Sequence, residues 1–364
     1  MKTKSVDKIF LGLVITLLVV GILVFVSASL GILPKNEAKF YGVLFNQLVL
    51  GFGGGIIVLL ITSRINYKFW RKYSFYIFLA ALVISALVFL PGLGFEHAGA
   101  LRWISLGPIS FQPAEFLKIG FIIYFAAWLS SVKDRVRNFK LGILPFLIFL
   151  GLSAVVLLKQ PDIKSFILIV LASLGMFFIS GVRLRNILIL GLVVVSILGF
   201  MIFQKPYLLD RVETFLEPSR DPLGSSYQLQ QGLIAIGSGG VFGRGLGQSI
   251  QKFSYLPEPQ GDSIFAVIGE EFGFVGSTLV ILLFIAFILR GLRIANRAPD
   301  LFSRLLVAGI VILIGAQAFL NIASITGVFP LTGVPLPFIS HGGTSLLITL
   351  AAVGIILNIS KYQR

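Results

Sequence analysis

The sequence predicts an all-α polytopic membrane protein, with ten transmembrane helices in a single domain over residues 1–364. The chain is 57% hydrophobic, with a mean hydropathy of +0.98, and only 12% of its residues are charged. Soluble domains carry about 25% charged residues. The apolar stretches approach the about 20 residues that a helix needs to cross a bilayer. Because backbone in hydrocarbon must bond internally and these stretches are continuously apolar, we expect helices rather than barrel strands.

The ten apolar stretches follow one another along the whole chain. The first has a basic start, like a secretory signal, but its apolar run exceeds the usual about 7–15 residues, so we interpret it as an uncleaved span. The spans are expected to start near Ile9, Tyr41, Ser74, Ala114, Ile143, Lys164, Ile187, Ser263, Ser303 and Thr344.

Basic residues cluster in alternate connections between these stretches. Under the positive-inside rule, such connections and both termini face the cytoplasm. The net charge of +15 is therefore a topology signal and a contact for anionic membrane lipids, and we expect no nucleic-acid partner. The basic clusters are residues 2–8, 64–72, 133–140, 183–185, 290–304 and 361–364.

Two outward connections are unusually long, residues 91–113 and the extracytoplasmic loop of residues 204–262 between helices 7 and 8. Long loops are usually functional or disordered. Apolar residues between positions 227 and 236 have the spacing of a short amphipathic helix, which favours an ordered cap. The following string GRGLGQS lacks the ending of a nucleotide-binding loop, so its glycines indicate tight turns and close helix packing.

Four carboxylates lie where the eighth span begins: Glu258, Asp262, Glu270 and Glu271. Charges at a membrane entry are costly, and ionisable groups there are usually functional. Asp262 is either a helix N-cap or a general base at the membrane surface. Glu270 and Glu271 lie about two turns further in, where they form an interior polar network or act directly in catalysis.

Other ionisable residues near the outer side also have two interpretations. Glu115 and Lys118 are spaced i, i+3 on one helical face, so they form a structural ion pair or Lys118 binds an anionic substrate group. Asp162 lies with Lys159 and Lys164 in the turn KQPDIKS, where a simple helix cap is the alternative to a binding role.

Several basic residues of the long loop contradict the positive-inside trend, namely Arg211, Arg220, Arg244 and Lys252. Phosphate recognition is one reason to retain them, and neutralisation of nearby acids is the other. The chain has no cysteine and only two histidines, so the sequence indicates neither a thiolate nor a histidine-rich metal site, and the metal ligands are unknown.

Five strings carry a family resemblance: GPISFQPAEFLK, KQPDIKS, DPLGSSYQLQQGLIAIGSGGVFGRGLGQSIQK, YLPEPQGDSIFAVIGEE and TGVPLPFISHGGTS. They occur in this order between Gly107 and the C-terminal span. Together they resemble the SEDS family of shape, elongation, division and sporulation proteins, which includes FtsW, RodA and SpoVE. The loop and YLPEPQGD favour an FtsW-like over a RodA-like chain.

The resemblance implies a peptidoglycan glycosyltransferase that polymerises lipid II at the outer face of the bacterial cytoplasmic membrane. It also implies a class B penicillin-binding protein as partner. The invariant aspartate of the family maps onto Asp262, and the QPxE..K and QPD elements map onto Glu115, Lys118 and Asp162. The chain departs from the family pattern at Gly261, Ser263 and His341, which puts in doubt the shape of the pocket around Asp262.

The chemistry of glycosyl transfer fits these residues. A base must take a proton from the acceptor hydroxyl, and we assign this role to Asp262. Positive charge must stabilise the leaving pyrophosphate. No cofactor is certain, and a divalent cation, Mg²⁺ or Mn²⁺, is a possible addition. The alternatives are a flippase for a lipid-linked precursor and a noncatalytic scaffold of the division machinery.

Overall fold

The structure is a computed structural model that describes residues 5–97, 100–106, 109–132, 142–204, 206–217, 224 and 226–363. The predicted basic cluster at residues 133–140, together with Lys2, Lys4 and Arg220, lies outside these ranges. The described chain is mainly helical. The helices are α1 (Lys8–Ser29), α2 (Glu37–Phe45), α3 (Gly55–Arg64), α4 (Tyr67–Lys72), α5 (Ser74–Ala86), α6 (Pro113–Val132), α7 (Leu144–Lys159), α8 (Ile163–Ile179), α9 (Leu184–Gln204), α10 (Pro206–Leu216), α11 (Tyr227–Ser238), α12 (Gln251–Ser254), α13 (Ile264–Asn296), α14 (Leu301–Ile325) and α15 (Gly343–Ser360).

Within the described residues, seven helices are long and apolar enough to cross a membrane, so the chain is a multi-pass membrane protein. One of them combines α2, a π-helical stretch (Asn46–Gly54) and α3. Three shorter apolar helices occupy the other predicted positions, and every predicted start lies within about one turn of an apolar helix. The shorter helices are Ser74–Phe89, Leu144–Lys159 and Ile163–Ile179.

Polar side chains cap the starts of several helices. Asp7 accepts a hydrogen bond from the Phe10 amide at the start of α1, and Asp300 forms a capping box with Ser303 at the start of α14. Such caps satisfy amide groups that have no partner within the helix. Local sequence therefore sets these helix boundaries.

Helix α14 lies at the centre of the bundle, where it packs against α6, α8, α13 and α15. Its glycines allow close approach: a Cβ at Gly309 would lie 2.6 Å from the sulfur of Met176. Helix α9 is the opposite case, because apolar side chains such as Leu188 and Leu192 are exposed. This exposed face is what lipid would cover in a membrane protein.

The connection between α5 and α6 corrects the all-α prediction, because it forms a three-stranded antiparallel sheet. Its strands are β1 (Gly94–His97), β2 (Ala100–Leu106) and β3 (Ile109–Phe111), in the order β1-β2-β3. Arg102 in β2 donates to the carbonyls of Gln160 and Pro161 before α8. The strands satisfy their backbone locally, and glycines and prolines broke up the pattern that would have revealed them.

The long segment between α9 and α13 contains helices α10, α11 and α12. The predicted amphipathic helix is confirmed as α11, which buries Leu229 and Ala235. Residues 328–342, rich in proline and glycine, are mostly irregular, as expected from their composition. These segments bring side chains from distant parts of the sequence to the start of α13.

Helix α13 is interrupted at Gly273, which has φ of 65°. The glycine-rich residues 240–245 fill the interruption. The amides of Arg244 and Gly245 donate to the carbonyls of Glu270 and Glu271, and the Phe274 amide donates to the Gly240 carbonyl. The glycine string therefore makes close helix contacts, in agreement with the interpretation from sequence, and supplies the partners that the interrupted helix lacks.

Candidate active site

Asp262 lies immediately before α13 and is partly exposed. Its Oδ1 accepts a hydrogen bond of 3.1 Å from Nε2 of Gln228, and the same amide group lies 3.0 Å from Oγ of Ser263. The backbone carbonyl of Asp262 accepts from Nδ2 of Asn321 at 2.8 Å. Ser263 is the N-cap residue of α13, so Asp262 is not the helix cap that was one of its two interpretations.

Residues 328–342 hold the chain around Asp262. Asn321 also donates to the Val334 carbonyl at 2.7 Å, which joins this segment to Asp262 through a single side chain. The same segment also contacts the two residues before Asp262. Ser340 donates to the Gly261 carbonyl at 2.7 Å, and the His341 amide donates to the Gln260 carbonyl at 2.7 Å. The aspartate is therefore fixed from both sides by backbone contacts.

Two cations lie near the Asp262 carboxylate and donate to the backbone at Leu331 and Gly333. Lys164 Nζ donates to the Gly333 carbonyl at 2.7 Å, and Arg211 Nη1 donates to the Leu331 carbonyl at 2.8 Å. A Cβ at Gly333 would lie 3.6 Å from Oδ2 of Asp262 and 3.9 Å from Nη2 of Arg211. We call Asp262, Lys164, Arg211, Gln228 and Gly333 the Asp262 site.

The environment of Asp262 raises the pKa of its carboxyl above the ordinary value, chiefly because of desolvation by the surrounding protein. The hydrogen bond from Gln228 and the charges of Lys164 and Arg211 act in the opposite direction. A carboxylate with a raised pKa is a stronger base than an ordinary one, which suits proton abstraction near neutral pH.

Glu271 belongs to a different cluster, formed with Lys252 and Ser27. Lys252 Nζ lies 2.6 Å from Oε1 of Glu271, and both side chains are fully buried. The same amino group donates to Ser27 Oγ at 3.0 Å and to the Gly247 carbonyl at 2.8 Å. These three bonds use all the N–H donors of the lysine, which favours a supporting role for Lys252 over contact with a substrate.

Glu270 is buried next to this cluster and holds the start of α12. It accepts from Ser249 Oγ at 2.6 Å and from the amides of Ile250 and Gln251 at 2.9 Å and 3.2 Å. Arg244 is exposed, and its Nε lies 3.7 Å from Glu270 Oε1. The contacts of Glu270 and Glu271 favour the polar-network interpretation, because their partners belong to residues 244–252 and α1.

Glu115 and Lys118 form a buried ion pair of 2.9 Å in α6. Lys118 also contacts Oε1 of Gln317 at 3.2 Å, and Gln317 donates to the Pro335 carbonyl at 3.1 Å. Ser345 of α15 donates to Glu115 at 3.0 Å. The pair therefore joins three helices to the segment at residues 328–342, as the structural interpretation expects.

Asp162 is fully buried and caps α8. It accepts from Oγ of Ser165 at 2.7 Å and from the Ser165 amide at 3.3 Å. Its cap fixes the first turn of α8, and Lys164 projects from that turn to Gly333. These contacts favour the helix-cap interpretation of Asp162.

Sequence reasoning assigned no site role to Lys164, Gln228, Asn321 or Gly333. The signals were present, because Lys164 lies two residues from Asp162 and Gln228 begins the amphipathic helix α11. Their proximity to Asp262 depends on contacts between segments that are distant in sequence, such as α8 and residues 328–342. Only the tertiary structure brings them together.

The possible divalent cation finds no preformed set of ligands. Among the described residues, no group of three or more Asp, Glu and His side chains is placed to hold a metal ion. The Asp262 site offers one carboxylate beside two cations, whereas Mg²⁺ requires several oxygen ligands. These residues alone do not fit a resident metal, and we assign no step to one.

Comparison with known proteins agrees with the predicted resemblance. The model of the cell cycle protein family of FtsW, RodA and SpoVE matches residues 7–364. The chain is 39% identical to the stage V sporulation protein E of Bacillus subtilis, over 100% of this chain and 99% of that protein. It is 40% identical to the probable peptidoglycan glycosyltransferase FtsW of Geobacter sulfurreducens, over 97% and 95%.

Two solved structures are similar to this chain in fold and, at 26% identity, in sequence. A chain solved in work on the structural coordination of polymerization and crosslinking by a peptidoglycan synthase complex matches with a TM-score of 0.81 and 26% identity, over 99% of both chains. The rod shape determining protein RodA of Thermus thermophilus matches with a TM-score of 0.71 and 26% identity, over 99% of this chain and 98% of RodA. With a family match over nearly its whole length and these relatives, the chain belongs to the FtsW, RodA and SpoVE family, the SEDS proteins.

Proposed function

We propose that Asp262 is the general base with which this peptidoglycan glycosyltransferase polymerises lipid II into glycan strands. The observation that carries the assignment is a partly exposed carboxylate, held by a neutral amide and by its own backbone, with two cations nearby. The names of the relatives support the reaction, since several are probable peptidoglycan glycosyltransferases.

The reaction is a single displacement with inversion. The 4-hydroxyl oxygen of the acceptor sugar attacks the anomeric carbon of the donor and forms the new glycosidic bond. The bond from that carbon to the diphosphate oxygen breaks, and the lipid diphosphate leaves with the electron pair. The hydroxyl proton passes to the carboxylate of Asp262, which a raised pKa equips to accept it.

For the topology, we propose ten spans in the bacterial cytoplasmic membrane, with both termini in the cytoplasm and Asp262 on the outer side. The three shorter apolar helices complete the seven longer ones. Asp262 precedes α13, whereas Arg290 and Arg293 lie near its opposite end. Because basic residues favour the cytoplasmic side, the start of α13 and the Asp262 site face outward.

We further propose a class B penicillin-binding protein as the partner that crosslinks the new strands, in an FtsW-like rather than a RodA-like role. The similarity to a chain from a peptidoglycan synthase complex supports such a partner, and the FtsW relatives support the role. A divalent cation would have to enter with the pyrophosphate of the substrate, whose oxygens would supply the missing ligands.

The decisive experiment measures glycan strands formed from lipid II by the purified protein together with its partner, separated on a gel. Asp262→Asn should lower polymerisation at least about 100-fold, because general base catalysis contributes about 10²–10⁴. The matched control is Glu217→Gln, which makes the same chemical change at an exposed acid next to α10 and should leave the rate unchanged.

Normal polymer formation by a folded Asp262→Asn protein would contradict the assignment. The rival functions give different results in the same experiment. A flippase would move lipid II across vesicles without forming strands, and a scaffold would show neither activity. The position of Asp262 at one end of α13 disfavours the flippase, whose central charges should lie near the membrane midplane.

A further inference from the structure

We propose that Lys164 and Arg211, which both donate to the backbone of residues 331–333, form the binding site for the diphosphate of the lipid-linked donor. The inference rests on the proposed function and gives its leaving group a specific location. It assigns Lys164, to which sequence reasoning gave no role, as a substrate-binding residue of this chain.

The helix position of Lys164 is the first argument. Lys164 is the second residue of α8, where the unpaired amides and the helix dipole favour negative charge. A cation at this end is unfavourable by about 0.3–1 kcal/mol. The nearby carboxylates of Asp162, Asp262 and Glu115 offset part of this cost, and an anion bound beside the lysine would offset it further.

The hydrogen bonds of Lys164 are the second argument. The residue is half-buried, and the bond to the Gly333 carbonyl occupies one of the three N–H donors of its amino group. The buried lysines Lys118 and Lys252 instead lie 2.9 Å and 2.6 Å from a glutamate. The amino group of Lys164 is therefore positioned by a neutral carbonyl, while the carboxylates of Asp162 and Asp262 act on its charge from nearby.

Arg211 bonds to the same stretch of backbone as Lys164. Its guanidinium donates to the Leu331 carbonyl, two residues before Gly333, and the residue is exposed. A guanidinium presents several N–H donors in one plane, which matches phosphate oxygens. The segment at residues 331–333 thus contacts one cation from α8 and one from α10.

Gly333 provides the third argument, because it lies close to both the base and the arginine. The residue has φ of 64°, a conformation that side chains rarely adopt. A Cβ there would lie 3.6 Å from Asp262 Oδ2 and 3.9 Å from Arg211 Nη2, in ordinary van der Waals contact with both. A substrate group bound beside Gly333 would therefore lie near the carboxylate and the guanidinium together.

The chemistry selects a diphosphate. During the displacement, negative charge develops on the oxygen that leaves the anomeric carbon, and cations fixed in advance stabilise that charge. Two phosphates can contact both Lys164 and Arg211, whereas a monophosphate contacts fewer donors. We therefore expect the protein to bind a polyprenyl diphosphate more tightly than a polyprenyl monophosphate.

The test measures binding of radiolabelled polyprenyl diphosphate and monophosphate to the purified full-length protein. Neither probe carries a sugar, so neither can turn over. Lys164→Met should weaken diphosphate binding at least about tenfold, since charge-assisted bonds are the strong ones. The control Lys159→Met removes an exposed lysine from the end of α7 and should leave binding unchanged. Lys164→Arg should retain most of the binding.

Unchanged diphosphate binding in folded Lys164→Met protein would overturn the inference. If that variant does not fold, Arg211→Met gives the same test, and full binding by folded Arg211→Met protein would overturn it equally. The outcome is independent of the base assignment: an active Asp262→Asn enzyme would refute the base, whereas diphosphate binding would still report on the two cations.

Discussion

Asp262 and Glu271 are two carboxylates at the same end of α13, and both have cations nearby, but their surroundings differ. Glu271 is fully buried, ion-paired with Lys252 at 2.6 Å and bonded to Ser27. Asp262 is partly exposed, and its carboxylate accepts from the neutral amide of Gln228. The cations near Asp262 donate instead to the carbonyls of Leu331 and Gly333.

The difference shows that two carboxylates nine residues apart can have different roles, one in stabilising the fold and one in the proposed chemistry. A buried pair that satisfies all its donors stabilises a single arrangement, and its charges are not available to a ligand. The Asp262 carboxylate, whose hydrogen-bonding partner is a neutral amide, can instead exchange a proton. The two carboxylates of this region thus differ in whether a buried cation is paired directly with them.

The largest expected effect on stability comes from breaking the buried pair. Lys252→Met leaves the Glu271 charge without its partner, and we expect a loss of about 3–5 kcal/mol of folding free energy. Thermal unfolding in detergent, followed by intrinsic fluorescence, measures the loss. The double variant Lys252→Met with Glu271→Gln should recover part of it, and an unchanged melting temperature in the single variant would contradict the comparison.

A smaller effect is expected at the interruption of α13. Gly273→Ala places a Cβ on a residue with φ of 65°, against Val241 O at 2.6 Å. Strained backbone of this kind costs about 1–3 kcal/mol, and the clash adds to it. Thermal unfolding should show the loss, whereas Gly151→Ala, in α7 with no atom within 4 Å of its Cβ, should be neutral or stabilising. Equal stability of the two variants would argue against a fixed contact between residues 240–245 and α13.

The smallest effect, with the opposite sign, is expected for the stability of Asp262→Asn. Because the folded protein raises the pKa of Asp262, it favours the neutral carboxyl, and the ionised form costs stability above that pKa. Asparagine removes this cost, so the variant should melt slightly above the wild type at pH 7. The gain should disappear as the pH falls below the unfolded value of about 3.9. A lower melting temperature at pH 7 would place Asp262 among the structural carboxylates.

The sequence was a good guide wherever the signal is local. Hydropathy located the apolar helices to within about one turn, and the spacing of apolar residues predicted α11. The prediction was wrong for residues 94–111, because short strands interrupted by glycine and proline carry little periodic signal. The interruption at Gly273 also went unpredicted, since it depends on residues 240–245 as well as on α13 itself.

The candidate site was likewise predicted only in part from the sequence. The family strings single out Asp262, but the sequence leaves open whether Glu270, Glu271, Arg244 and Lys252 act on the substrate or support the fold. The structure separates them, because Lys252 is buried in a pair and Arg244 lies beside Glu270. Burial and pairing are properties of contacts, and neighbours in sequence do not determine them.

By itself, the sequence determined that this chain is a helical membrane protein of the SEDS family, and it singled out Asp262, where α13 begins, as the candidate base. The length of the apolar segments and the order of the family motifs depend only on consecutive residues, so they can be recognised without the folded structure. Only the tertiary structure decided that Lys164 and Arg211 meet Asp262 around Gly333. The physical reason is that α8, α10, α13 and residues 328–342 converge through side-chain and backbone bonds that span up to about half of the chain.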